Sequence, residues 1–171
     1  MIELVNIEKR FGNKRVLRNI NLNLQEGKVY GLFGPNGVGK TTLLKIMAGY
    51  NKKTSGEYKI NGLDFTYENK DHITFISDKE IFYGWMKIKD AVKYYKDFFT
   101  DFDEEKCLRL VKMMKLEADD KINVLSKGMK ARLKVALAIS RDAKLYLLDE
   151  PLGGLDPVSR KIILDTIKTL M

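Results

Sequence analysis

The sequence predicts an α/β fold in which a β-rich N-terminal part precedes a region dominated by helices. Residues 1–33 alternate short apolar segments with polar turns, and several of these segments have the period of two that is typical of strands. After residue 78 apolar residues recur at spacings of three and four, as on one face of a helix. Two unbroken apolar runs, 29–33 and 145–148, have the composition of buried parallel strands.

The strand predictions follow the chain in order. Residues 2–5, 16–17 and 20–24 are predicted as antiparallel strands that lead toward the run at 29–33. Residues 57–60 precede Asn61-Gly62, a pair that favours a tight turn, and residues 73–76 are predicted as a further buried strand. The predicted strands are 2–5, 16–17, 20–24, 29–33, 57–60, 73–76 and 145–148.

Helical periodicity occurs in five segments, and three of them begin after a residue that can cap a helix. Asp103, Ser126 and Asp156 are these predicted N-caps, and Pro157 suits the first helical position. One face of the second segment carries six apolar residues, which we interpret as core or a groove for a partner helix: Ile88, Ala91, Val92, Tyr95, Phe98 and Phe99. The predicted helices are 42–48, 88–99, 104–115, 127–140 and the segment from 157 onward.

Composition sets limits on the class of protein. A length of 171 residues with 44% hydrophobic residues fits about one globular domain with its own core. The net charge of +8 comes from scattered lysines, which indicates solvated faces or a phosphate-rich ligand more than a nucleic-acid surface. The single cysteine, Cys107, cannot form an internal disulfide, and its helical spacing indicates packing.

Targeting features are not evident in the sequence. No apolar run is long enough to span a bilayer, and Met1-Ile2-Glu3-Leu4 enters strand-like sequence directly, without the pattern of a signal peptide. We therefore expect a soluble, intracellular chain.

The strongest functional signal is the segment Gly34-Pro35-Asn36-Gly37-Val38-Gly39-Lys40-Thr41, which fits the phosphate-binding pattern G-x-x-x-x-G-K-[ST]. Glycines allow the backbone N–H groups to point inward at phosphate oxygens, the lysine reaches the outer phosphates, and the threonine hydroxyl can ligate Mg²⁺. A predicted strand precedes the loop and a predicted helix follows it, which argues against a chance match in a surface turn. The predicted nucleotide contacts are Gly34, Pro35, Asn36, Gly37, Val38, Gly39, Lys40, Thr41 and Thr42.

Two adjacent carboxylates follow the second buried run. Asp149 and Glu150 come directly after residues 145–148, and the carboxyl end of a buried strand is where ligands bind in open α/β sheets. One carboxylate can hold the hydration shell of a magnesium ion while the next polarises a water for in-line attack on a γ-phosphate. We predict Asp149 as a metal ligand and Glu150, with Lys40, as catalytic.

Two further motifs complete a family resemblance. Leu125-Ser126-Lys127-Gly128-Met129 precedes the fourth helix, and Gly153-Gly154-Leu155-Asp156 follows the acidic pair. With the phosphate loop, this order of motifs resembles the nucleotide-binding domain of the ATP-binding cassette (ABC) transporter family over essentially the whole chain. The resemblance implies a P-loop NTPase (RecA-like) α/β core with an N-terminal antiparallel β portion and an inserted α-helical subdomain. The single domain 1–171 would comprise a core of residues 1–78 and 127–171 and an insertion of about 79–126.

The resemblance also implies the roles of three residues outside the loop. Phe11 would stack on adenine, and Ser126 and Gly128 would contact the γ-phosphate of ATP bound by a second copy. It further implies a head-to-tail dimer with ATP and Mg²⁺ at its interface and a separate integral membrane permease as partner. The chain would lie in the cytoplasm, peripheral to the inner face of the cell membrane, and no nucleic-acid partner is expected.

Three departures from the family pattern shape this prediction. Lys127 and Met129 replace a glycine and a glutamine of the usual Leu-Ser-Gly-Gly-Gln signature, which resembles a subset of bacterial exporter-type cassettes. Ser77-Asp78 stands where the family usually has a glutamine, and Asp78 is predicted near magnesium through water. The family's switch histidine does not occur in these 171 residues, since the single histidine, His72, precedes residues 73–76 and is expected on the surface.

The predicted function is an ATPase that drives a separate permease as two copies close on ATP and reopen on hydrolysis. An ATP-gated dimerising module with little hydrolysis remains an alternative, because the signature is altered and the histidine is missing. A protein of the ABC type that acts on nucleic acid or ribosomes is a third reading, which the positive charge permits.

Overall fold

The computed structural model describes residues 1–77, 79 and 82–168, and these residues form two compact units. The first unit comprises Met1–Ile73 and the second begins at Thr74. The division of the chain into a core and an insertion of residues 79–126 stays a prediction.

The first unit contains a four-stranded antiparallel sheet. Its strands lie in the order 14–24, 2–11, 55–60 and 63–64, so the first strand of the chain is flanked on both sides. The predicted strands 16–17 and 20–24 are parts of one longer strand, and the Asn61-Gly62 turn joins the last two strands, with both residues at positive φ as tight hairpins require. The strands are β1 (Ile2–Phe11), β2 (Lys14–Leu24), β3 (Ser55–Ile60) and β4 (Leu63–Asp64).

The first helix, α1 (Lys40–Met47), packs on this unit through one buried face and through a hydrogen bond at its C-terminal end. Leu43, Ile46 and Met47 are buried, and the Tyr58 hydroxyl of β3 donates a hydrogen bond of 2.8 Å to the Met47 carbonyl. The Tyr58 ring stacks on Phe65 with 4.6 Å between ring centroids. This packing fixes the end of the helix that lies away from the phosphate loop.

The buried strand predicted at residues 29–33 is wrong for this structure. The segment has no regular secondary structure, and its large apolar side chains are exposed, up to 92% for Phe33. A central strand forms only where neighbouring strands accept and donate its backbone hydrogen bonds. No strand pairing is found for residues 29–33 within the described parts of the chain.

The second unit combines a strand pair with four helices. Residues 73–76 pair with residues 145–148, and the Asp149 amide, just after the second of these strands, donates a 2.9 Å hydrogen bond to the carbonyl of Ile76, the last residue of the first. Both strands therefore end at the same edge, as in a parallel pair. The elements are β5 (Ile73–Ile76), α2 (Ile88–Phe98), α3 (Glu104–Met113), α4 (Lys127–Ile139), β6 (Leu145–Leu148) and α5 (Pro157–Lys168).

The three predicted helix caps are confirmed. The side chains of Asp103, Ser126 and Asp156 accept hydrogen bonds from the amides of residues 106, 129 and 159, respectively. Each cap satisfies an amide that has no partner inside its helix. These three helices consequently begin at the predicted residues, 104, 127 and 157.

One hydrophobic cluster forms the core of the second unit. Side chains of all four helices contribute to it, including Ile88, Leu110, Leu133 and Ile163. The predicted apolar face of α2 is correct except at Phe98, which is 67% exposed. No helix among the described residues is long and apolar enough to cross a membrane.

An ion pair between a buried arginine and a half-buried aspartate links the α2–α3 connection to the segment just after α4. The Arg141 guanidinium makes two hydrogen bonds of 3.0 Å to the Asp101 carboxylate and lies 4.1 Å from the centroid of the Phe99 ring. A two-point pair of this kind fixes the relative orientation of both groups. The Tyr146 hydroxyl of β6 donates to the Arg141 carbonyl at 2.6 Å, so the same residue also contacts the last strand.

Burial of Cys107 predicts a loss of stability at alkaline pH. Burial raises the pKa of this thiol from 9.0 to about 11. Because the neutral thiol is favoured in the folded state, its contribution is fully present below about pH 9 and is lost as the pH rises to about 11. Between pH 9 and pH 11, the free energy of unfolding measured in urea should fall by about 2–3 kcal/mol more in the wild-type chain than in Cys107→Ala. Equal losses in the two proteins would contradict this account.

Candidate functional site

The phosphate loop depends on glycines for two different reasons. Gly37 has φ +78° and open space around its α-carbon, so only its backbone conformation requires glycine. Gly39 has φ +109°, and a β-carbon there would lie 2.7 Å from Leu17 Cδ2 and 3.2 Å from Val16 Cγ1. The start of α1 therefore lies directly against β2, with no space for a side chain between them.

Lys40 closes the loop from inside the first helical turn. Its ammonium donates hydrogen bonds of 2.7 Å to the Gly34 carbonyl and 2.9 Å to the Pro35 carbonyl. The Leu43 amide makes the first helical hydrogen bond, 2.9 Å to the Gly39 carbonyl. The helix N-terminus and the ammonium thus lie at the same loop, an arrangement that attracts a phosphate group.

The remaining predicted loop residues lie where a ligand can reach them. Pro35, Asn36 and Val38 are exposed, whereas Thr41 and Thr42 are half-buried in the first turn of α1. The loop side chains thus leave the backbone accessible from solvent.

Asp149 and Glu150 occupy contrasting environments after β6. Asp149 is only 4% exposed, and its amide is tied to Ile76. Glu150 is exposed and has φ +49°, a conformation that non-glycine residues seldom adopt and that often accompanies function. The buried carboxylate is suited to a fixed role and the exposed one to contact with solvent water.

The signature segment begins α4 and packs against α5. The exposed Ser126 hydroxyl accepts a 3.2 Å hydrogen bond from the Met129 amide, which leaves its own proton available to donate to another group. Gly128 is buried, and a β-carbon there would lie 2.4 Å from Ser159 Oγ and 3.0 Å from Asp156 Oδ2.

The phosphate loop, the acidic pair and the signature segment also match the motifs of a known family. The sequence pattern of the ABC transporter family matches residues 17–153. The chain belongs to this family. It is 34% identical to the uncharacterized ABC transporter ATP-binding protein YdbJ of Bacillus subtilis and 33% identical to the lantibiotic transport ATP-binding protein SrtF of Streptococcus pyogenes, with 99% of the chain aligned in both cases. The ABC chain spans 57% of the length of YdbJ and 74% of the length of SrtF.

Solved structures confirm the predicted fold class. The ABC chain superposes with a TM-score of 0.85 on the dimeric post-hydrolysis structure of the ATP-binding cassette MJ0796 bound to ADP and Pi, at 27% identity. The match covers 99% of this chain and 82% of that one. The fold is therefore that of a P-loop NTPase with mixed α and β structure.

The roles predicted for the individual site residues stay predictions. The phosphate loop and Phe11 belong to the first unit of the ABC chain, whereas the acidic pair and the signature belong to the second. Phe11 ends β1 with half of its surface exposed, and the Lys9 ammonium lies 4.6 Å from its ring centroid. Asp78 lies outside the described residues, and the predicted surface position of His72 is confirmed.

Two side chains of the second unit that contact motif residues, Ser159 and Lys134, were not predicted from the sequence. Hydrogen bonds from the Ser159 amide and hydroxyl hold the pKa of the Asp156 carboxyl below its usual value. Gly128 packs against both of these residues. The Lys134 ammonium donates to the carbonyls of Ser77 and Lys79, which ties the segment after β5 to α4. Only the helical spacing of Ser159 from Asp156 could have indicated the first contact.

Alanine substitutions at two loop glycines should differ in cost. Gly37→Ala should lower the free energy of unfolding by about 1–2 kcal/mol through backbone strain alone. Gly39→Ala should cost a further ~1–3 kcal/mol, because its β-carbon collides with Leu17. Urea unfolding of both variants measures the difference, and equal costs would contradict the close approach of α1 to β2.

Proposed function

We propose that this chain is the ATP-binding subunit of an ABC transporter, which binds and hydrolyses Mg-ATP as a head-to-tail dimer and drives a separate membrane permease. The observation that carries the proposal is the phosphate loop, in which a lysine ammonium and a helix N-terminus lie at one accessible backbone turn. Relatives whose names describe transport ATP-binding proteins support the same function.

Binding would use the loop backbone and Lys40. The ammonium would exchange its two carbonyl partners for the outer phosphates of ATP, where a charge-assisted hydrogen bond is stronger than one to a neutral carbonyl. Phe11 would stack on the adenine ring, since an aromatic face accepts a flat base without base-specific hydrogen bonds. These contacts favour ATP over a smaller anion because they span both ends of the nucleotide.

Magnesium would be held by Thr41 and Asp149, with Asp78 as a further ligand through water. A hydroxyl and a carboxylate fit the preference of Mg²⁺ for oxygen, since that ion keeps several waters and phosphate oxygens in its shell. Among the described residues no group of three or more His, Cys, Asp or Glu side chains is arranged to hold a metal, so most ligands would come from ATP and water. The ion would neutralise phosphate charge during hydrolysis.

Hydrolysis would depend on Glu150. Its exposed carboxylate would accept a proton from a water and direct that water at the γ-phosphate. Lys40 would stabilise the negative charge that develops on the phosphoryl oxygens.

A second copy would complete each site through its signature segment. The Ser126 hydroxyl and the backbone at Gly128 would contact the γ-phosphate at the N-terminus of α4. The dimer seen for the related cassette with ADP and Pi supports this assembly. Such a chain would work in the cytoplasm at the inner face of the cell membrane, next to its permease.

The central test is nucleotide binding by isothermal titration calorimetry. Lys40→Ala should weaken Mg-ATP binding by about 100-fold, which corresponds to two lost charge-assisted hydrogen bonds. Lys45→Ala, in the same helix, is the matched control and should bind as the wild type does. An unchanged affinity in Lys40→Ala would refute the proposed function.

A second measurement separates an ATPase from an ATP-gated module with little hydrolysis. Glu150→Gln should keep Mg-ATP affinity, lose phosphate release by at least about 100-fold and form a longer-lived dimer in Mg-ATP, because the general base is removed. Analytical ultracentrifugation and a phosphate assay report both properties. If the wild-type dimer is as long-lived as that of Glu150→Gln and releases no phosphate, the chain is the module and not the ATPase.

A further inference from the structure

The turn that follows the acidic pair is held at Glu150. The Gly153 amide donates a 3.0 Å hydrogen bond to the Glu150 carbonyl. A β-carbon on Gly153 would lie 3.4 Å from Glu150 Oε2 and 3.3 Å from the Glu150 carbonyl oxygen. The Gly153 amide therefore ties the turn to the backbone of Glu150, and the Glu150 carboxylate lies beside the turn.

The opposite side of the same turn is covered by Lys127. Gly154 has φ +64°, and a β-carbon there would lie 2.6 Å from Lys127 Nζ and 3.7 Å from Lys127 Cε. The ammonium thus fills the space that a side chain at residue 154 would occupy. Within the described residues the Lys127 ammonium makes no hydrogen bond or ion pair, so packing on the turn is the contact of this side chain.

The far end of the turn is fixed against the neighbour of Lys127. Asp156 caps α5 through the Ser159 amide at 2.9 Å, and Gly128 packs against both of these residues. Two successive signature residues, Lys127 and Gly128, therefore contact two successive parts of the segment 154–159. The beginning of α4 and the turn are held in one register by these contacts.

We propose that Lys127 is a positioning residue that holds Glu150 in place through the Gly153-Gly154 turn. This inference rests on the proposed function, because it takes Glu150 as the base for hydrolysis. A turn with two glycines has many accessible conformations, and a side chain packed on it removes some of them. Removal of Lys127 would free the turn and with it the backbone of Glu150, whose carbonyl accepts the hydrogen bond from the Gly153 amide.

Hydrogen exchange tests the contact independently of activity. In Lys127→Ala, peptides covering residues 150–156 should exchange at least about threefold faster than in the wild type, because the Gly153 amide opens more often. Lys112→Ala, which removes an exposed lysine of α3, is the matched control and should leave these peptides unchanged. Unchanged exchange in Lys127→Ala would overturn the proposal.

Steady-state ATPase kinetics test the consequence for Glu150. Lys127→Ala should lower kcat by about three- to tenfold with the KM for ATP and the unfolding midpoint unchanged, since only the geometry of the base is affected. Lys127→Arg, which restores a long cationic side chain, should recover most of the rate. A rise in KM alone, or a kcat equal to the wild type, would overturn the positioning role.

A double-mutant cycle shows whether the two residues act together. Gly154→Ala places a β-carbon where the ammonium lies, so it should displace Lys127 and lower kcat. In the double variant Lys127→Ala/Gly154→Ala, the fold reduction in kcat should be much smaller than the product of the fold reductions in the two single variants. Independent, multiplicative effects would overturn the proposal. If instead Glu150→Gln released phosphate at the wild-type rate, the role of Glu150 as the base in the proposed function would fail, whereas the exchange experiment would still report on the Lys127 contact.

Discussion

The absence of a side chain at two glycines allows the N-termini of two helices, α1 and α4, to pack closely against neighbouring elements. A β-carbon at Gly39 would collide with Leu17 of the antiparallel sheet, and one at Gly128 would collide with Ser159 at the start of α5. Each helix N-terminus can therefore lie closer to its supporting element than it could with any other residue at the position of the glycine. Backbone amides at these ends have no carbonyl partners inside their helices, so they can donate hydrogen bonds to an anion.

The charged groups at the phosphate loop and after β6 differ in sign and in exposure. Lys40 supplies a cation at the loop itself, and its two carbonyl contacts keep the ammonium there before a ligand arrives. Asp149 and Glu150 supply carboxylates at the end of β6, one buried and one exposed. Two adjacent acids with such different exposure can divide the work of holding a cation and activating water. The phosphate loop lies in the first unit of the chain, and the acidic pair lies in the second.

Local sequence signals predicted much of this arrangement, because each depends on a few neighbouring residues. The caps at Asp103, Ser126 and Asp156 and the turn at Asn61-Gly62 follow from the chemistry of single side chains and from glycine geometry. The strand predicted at 29–33 failed because an apolar run indicates burial but does not specify a hydrogen-bonding neighbour. The contact between Lys127 and Gly154 was out of reach for a similar reason, since it joins residues that only tertiary packing brings together.

The claim that each nucleotide site is shared by two copies can be tested most directly by mixing two inactive variants. Lys40→Ala removes the phosphate-loop cation, and Ser126→Phe removes the signature hydroxyl, so each variant alone should release little phosphate. In a head-to-tail dimer of the two, one site combines the intact loop of one copy with the intact signature of the other. An equimolar mixture should therefore recover about a quarter of the wild-type rate if the sites act independently. A mixture no more active than its two components would contradict the shared site.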